Sequence, residues 1–147
     1  MKALVEKLLG MGSRLSALEA LVLDAVRHLL APSIAGVWDK QVRSINKVQR
    51  LPEGVEVNFY RMTAGKPSFD DALAFANRTE ELKVATVQIQ VPAVQDTLTA
   101  SVWCVNGFLF SIEYRGNVKY FEEAAGMDPK PAIQIDCKIE ADLSTGA

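Results

Sequence analysis

Apolar positions in the first third of the chain recur at helical spacing, and beyond residue 54 they recur mostly at every second position. Leu15, Leu18, Leu21, Val22, Val26, Leu29 and Leu30 fall at intervals of three, four and one, which predicts an amphipathic helix over residues 13–31. Ser16 and Glu19 have capping-box spacing, with Ser13 an equally good start. Pro32 closes the run, because a residue before proline avoids helical geometry. Residues 2–9 read as a short separate helix, broken by Gly10 and Gly12. A second long helix is expected over residues 33–49. Ile34, Val37, Trp38, Val42, Ile45 and Val48 form its apolar face, and Lys40, Arg43, Lys47 and Arg50 make the other side basic.

After the Pro52-Glu53-Gly54 turn the pattern alternates. Residues 55–62 and 83–91 read as strands, separated by an irregular stretch with a short helix starting near Ser68, packed by Phe69, Leu73 and Ala76. Residues 97–105 and 108–115 flank Asn106-Gly107, the strongest short hairpin signal, since both residues tolerate the positive φ of a type I′ turn. Its register pairs Val105 with Phe108, Trp103 with Phe110, Ser101 with Ile112 and Thr99 with Tyr114 on one face. The other face pairs Cys104 with Leu109, Val102 with Ser111, Ala100 with Glu113 and Leu98 with Arg115. The aromatic face is expected at the centre of the core, so Phe110→Ala should cost about 3–5 kcal/mol. Gly116-Asn117 is another turn, followed by a short strand or a helical turn over residues 118–125. Residues 133–141 form the last strand, with Ile133, Ile135, Cys137, Ile139 and Ala141 inward.

Helices first and strands afterwards, joined by short connections, predict an α+β fold. Two N-terminal helices should pack on one face of a four- to six-stranded, mostly antiparallel sheet. A chain of 147 residues suits one domain over 1–147, with 1–12 as the short separate helix and 144–147 as a frayed tail. Hydrophobic residues at 49% and charged residues at 23% are globular values. A net charge of −2 argues against nucleic acid as a partner. Glu6 and Lys7 interrupt the apolar start, and Glu19, Asp24, Arg27 and His28 interrupt residues 15–31, so neither a signal sequence nor a membrane span is expected. Cys104 and Cys137 stand alone, without CxxC or Cys/His spacing. Two reduced thiols and a cytoplasmic address are expected, a cross-strand disulfide being the alternative.

Chemistry-bearing residues are sparse. His28 is the one histidine and reads as a polar-edge helix residue. Asp70-Asp71, Glu80-Glu81 and Glu122-Glu123 are adjacent pairs whose side chains diverge, so capping or a solvated surface explains them. Gly10-Met11-Gly12 lacks the preceding strand of a phosphate loop. No cofactor or metal is expected, and the balance leans away from an enzyme. The constellation left over is Tyr60, Glu113, Arg115, Lys119 and Tyr120 on an open part of the sheet, with Arg61 and Tyr114 as further binding candidates; Tyr and Arg are common at interaction hot spots. These residues suggest a protein-binding module of adaptor or toxin-neutralising type, acting through an exposed part of the sheet, its edge or a loop. Its partner would be another protein, or a second copy in a homodimer. The alternative is an α+β cone of ligand-binding or lyase/isomerase type, its small-molecule pocket lined by Phe59, Arg61, Trp103, Phe110 and Tyr114.

Overall fold

The computed structural model describes residues 15–145. The expected helix over residues 2–9, Gly10-Met11-Gly12 and the last two residues of the expected tail lie outside the described residues. Helix α1 spans Ala17–Arg27 and starts at Ser16. There the Glu19 N–H donates to Ser16 Oγ (3.1 Å), and the Ser16 N–H donates back to Glu19 Oε1 (2.8 Å), the reciprocal cap that the spacing predicts. Helix α2 spans Pro32–Ser44, with proline in the first turn, where its missing N–H costs nothing.

The expected continuation of α2 to residue 49 is incorrect. Lys47–Arg50 form strand β1 instead. Asn46 forces the change: its side chain accepts from the Met62 N–H (2.7 Å) and donates to the Met62 carbonyl (2.8 Å), fastening the segment alongside the next strand. Strand β2 covers Glu56–Tyr60, followed by a small hairpin of β3, Met62–Thr63, and β4, Lys66–Pro67. A 3₁₀ turn at Asp71–Leu73 is capped by Asp70 rather than Ser68, whose hydroxyl donates to the Arg61 carbonyl. Phe69 and Ala76, expected to pack, are exposed. Phe75 packs in their place, 6.2 Å from Trp38 between ring centroids.

The remaining strands are β5, Leu82–Val91, β6, Asp96–Val105, β7, Phe108–Arg115, and β8, Gln134–Ile139. Between β7 and β8, Val118–Gly126 is a third helix, α3, capped by Asn117. The main sheet runs β1-β2-β7-β6-β5-β8, and every neighbouring pair is antiparallel. The fold is α+β, with the helices on one side of this sheet.

Their shared core contains Leu18, Val22 and Val26 of α1, Trp38 of α2 and Phe121 of α3. The sheet contributes Val57, Phe59, Val87, Ile89, Leu98, Ala100, Val102, Cys104, Leu109, Ile112 and Tyr114. The core face is therefore the one with Cys104 and Val102, and the expectation that Trp103, Phe108, Phe110 and Ile112 share its centre is corrected. The turn is as expected, with Asn106 at φ 52° and Gly107 at φ 90°, and the first two pairs, Val105–Phe108 and Cys104–Leu109, hold. A β-bulge then intervenes, and Trp103 pairs with Ser111, Val102 with Ile112, Ser101 with Glu113, Ala100 with Tyr114 and Thr99 with Arg115. The extra residue is Phe110. One inserted residue carries everything beyond it to the opposite face, so Ile112 and Tyr114 join the core while Trp103 and Phe110 stay outside it. Phe110 is half-buried, so its truncation costs less than a core value.

Candidate functional site

Where β2 ends at Tyr60, the backbone of Leu109 in β7 loses its neighbouring strand. Two side chains replace it. Gln41 of α2, fully buried, accepts the Leu109 N–H at Oε1 (2.8 Å) and donates from Nε2 to the carbonyls of Leu73 (2.6 Å) and Gly107 (3.0 Å). Arg61 donates to the Leu109 carbonyl (2.7 Å), to Ser44 Oγ (3.0 Å) and to the Gln41 carbonyl (3.1 Å). Burial lowers the Arg61 pKa to about 10, because its partners are neutral acceptors. Beside it, burial pushes the Cys104 thiol up to about 12. This network holds the bulge in place, and the bulge sets which aromatic rings face away from the helices.

That outward face carries the site. Tyr60 and Phe110 meet edge-to-face with centroids 5.5 Å apart, a favourable aromatic geometry. The Tyr60 hydroxyl donates to Gln49 Oε1 (3.2 Å), and Lys47 Nζ lies 5.9 Å from the ring centroid. Trp103 lies on the same face, half-buried, and its Nε1–H finds no acceptor among the described residues. Beside the rings, Glu56 of β2 stands directly opposite Glu113 of β7. Like charges so placed repel, and among the described residues neither carboxylate has an ion-pair partner. Arg115 sits two positions beyond Glu113 on the same side. Farther across, Ser101, Thr86 and Lys138 continue the row begun by Glu56 and Glu113.

The expected binding residues divide among several places. Tyr60, Glu113 and Arg115 share the open face. Arg61 is half-buried under the hairpin end. Tyr114 points the other way, into the core, where burial together with nearby Glu19 and Glu122 raises its pKa and its hydroxyl has no partner among the described residues. Lys119 is exposed on α3, and Tyr120 packs edge-to-face on Phe121 with centroids 5.4 Å apart. The residues expected to line one small-molecule pocket separate likewise: Phe59 and Tyr114 belong to the core, Trp103 and Phe110 to the open face. Glu56, Trp103 and Phe110 complete the open-face cluster. Sequence reasoning gave Glu56 no role, and it placed Trp103 and Phe110 in the core or in an internal pocket, because aromatic content marked that side as core.

Elsewhere, buried Glu19 takes a two-pronged hydrogen bond from Arg50 (2.8 Å to each oxygen). Arg50 was expected on a solvated helix face; strand β1 turns it to the core side instead. Glu122 accepts from Ser16 Oγ (2.9 Å) and the Leu18 N–H (3.2 Å). These bonds join α1, α3 and β1. His28 is exposed on α1, its Nδ1 2.8 Å from the Asp24 carbonyl. Among the described residues no group of three His, Cys, Asp or Glu side chains is placed to hold a metal. Cys104 and Cys137 are free thiols, and no helix of the described residues is long and apolar enough to cross a membrane. In comparison with known proteins, no family model, no curated protein and no solved structure matches the chain.

Proposed function

We propose that the protein is a binding module for another protein and uses the open face of its sheet as the docking surface. The observation carrying this reading is the aromatic patch of Tyr60, Phe110 and Trp103, outside the helix-covered core and next to the unneutralised Glu56–Glu113 pair. Large aromatic groups with a polar surround make the anchors of protein interfaces. The carboxylate pair gives the site a preference: a partner segment bearing Lys or Arg beside an apolar anchor relieves their repulsion. Free Cys104 and Cys137 support a cytoplasmic setting.

The test uses the full chain as bait in lysate from the native host, beside the charge-introducing variants Phe110→Lys and Glu113→Lys. A partner retained by wild type and lost by both variants, with folding intact by circular dichroism, supports the reading. Identical retention by all three contradicts it, as does failure to retain any partner combined with turnover of a small molecule.

A further inference from the structure

We propose that β8 is the seam of a two-fold homodimer in which the sheets of two copies join into one continuous antiparallel sheet. The surface is separate from the open-face patch, and the inference does not rest on the proposed function.

Strand β8 ends the sheet, with β5 its single neighbour. The Glu140 N–H donates to the Val84 carbonyl (2.7 Å), which fixes the direction of the backbone groups. Antiparallel alternation turns Gln134, Asp136 and Lys138 toward β5 and leaves the N–H and C=O groups of Ile135, Cys137 and Ile139 facing outward. Among the described residues no backbone hydrogen bond beyond the β5–β8 ladder reaches those three. Natural edge strands are usually blunted by shortness, proline, a bulge or charged side chains; of these, β8 carries only the charges of Asp136 and Lys138, which are opposite in sign. Strand β8 is six residues long, contains no proline, and pairs with β5 in unbroken register. Its core-side flank is open too: Ile135 is 43% and Leu29 54% exposed, at a groove between α1 and β8 that also includes Leu21 and Ala25.

The sequence of this edge names its occupant. Around Cys137 the strand is nearly its own complement: Asp136 and Lys138 flank it, then Ile135 and Ile139, then Gln134 and Glu140. Outward-facing groups must meet outward-facing groups, so a two-fold pairing centres on a residue. Centring on Asp136 sets Asp against Asp, and centring on Lys138 sets Lys against Lys. Centring on Cys137 sets Asp136 against Lys138 twice and Ile135 against Ile139 twice. The charged pairs then fall at the non-hydrogen-bonded positions, where opposing side chains lie closest. In that register both copies of Ile135 and Leu29 lie on the same face of the joined sheet. Among the described residues Asp136 has no ion pair, and Lys138 is held only by Glu140, just past the end of its own strand, at 3.5 Å.

Light scattering and sedimentation on the full chain, with Asp136→Lys, Lys138→Asp and the double exchange, test the proposal. Wild type should run at twice the 16.1 kDa chain mass. Each single exchange sets like charges together and should weaken association about tenfold or more, and the double exchange should restore it. Both positions are exposed, and unchanged unfolding midpoints verify that the variants fold. Wild type that stays monomeric at every concentration overturns the proposal, as do single exchanges that dimerise like wild type or a double exchange that fails to recover. A second readout fixes the register. Paired Cys137 residues would have Cα atoms about 5.5 Å apart, within disulfide range. Diamide, taking up the two hydrogens of two thiols, should give a covalent dimer in wild type and Cys104→Ser but not in Cys137→Ser. No covalent dimer in Cys104→Ser contradicts this register.

Discussion

Replacing Gln41 by Met keeps the side chain's length and apolar contacts and deletes its amide. The amide makes three hydrogen bonds inside the protein. Without it the Leu109 N–H, in a fully buried residue, loses its acceptor, and leaving a buried donor unsatisfied costs about 1–3 kcal/mol. The carbonyl of Gly107 keeps the Phe75 N–H at 2.9 Å, and Leu73 is half-exposed and open to water, so their losses are smaller, about 0.5–1 kcal/mol together. The exchange nearly conserves volume, so repacking adds a further cost of less than about 1.5 kcal/mol. The expected loss is about 2–4 kcal/mol, a large share of the roughly 5–15 kcal/mol that stabilises a domain. Urea titration followed by circular dichroism measures it as a lower midpoint at unchanged slope. Amide hydrogen exchange at Leu109 should accelerate in parallel. A loss below about 0.5 kcal/mol, or unchanged protection at Leu109, would refute the claim that Gln41 stands in for the missing strand.

Arg50→Met strands the Glu19 carboxylate, which is 1% exposed. Breaking buried pairs costs about 3–5 kcal/mol, and since the Arg50 side chain is 42% exposed, about 2–3 kcal/mol is expected by urea titration. Asp39 takes two hydrogen bonds from Arg27 (2.7 and 2.9 Å), which hold its pKa below the usual carboxylate range. A depressed folded pKa contributes stability above the unfolded value of about 3.9 and loses it as pH falls through the folded one. Asp39→Asn should therefore be slightly less stable than wild type near neutrality and equal to it in strong acid; a gap that persists in acid contradicts the pairing. At Gly107, with φ 90°, an added Cβ would come 2.6 Å from Arg78 Cδ and 3.0 Å from the Phe75 carbonyl. Gly107→Ala should cost about 1–3 kcal/mol by the same titration, and a neutral result would contradict the turn geometry.

Much of the architecture was legible because periodicity and local chemistry agree along the chain. The capping box at Ser16, the proline entering α2 and the Asn106-Gly107 turn are local devices that determine their own geometry. The errors came where a distant partner decides. Residues 47–50 carry an apolar Val48 at helical spacing from Ile45, yet Asn46 reaches Met62 across the fold and draws the segment into the sheet. The bulge at Phe110 has no local signature, since Gln41 and Arg61, far away in sequence, supply the hydrogen bonds that permit it. The even positions of β6, Leu98, Ala100, Val102 and Cys104, are uniformly apolar and indicated the core face. The aromatic weight of Trp103 and Phe110 pointed the other way. Of the expected binding residues, Tyr60, Glu113 and Arg115 come together because simple alternation places them. Arg61 and Tyr114 separate from them because Arg61 lies just past a strand end and Tyr114 alternates with Glu113 and Arg115 onto the core face.

The face assignment underlies both the fold and the docking surface, and a matched pair of lysine substitutions tests it most directly. Ile112 and Phe110 are two residues apart on one strand, on opposite sides of the sheet. Urea titration of Phe110→Lys should show a cooperative transition with a loss below about 2 kcal/mol, since the lysine head reaches water. Ile112→Lys buries an unpaired charge in the core and should abolish or nearly abolish the folded state. The opposite ranking, or equal collapse of both variants, would contradict the account.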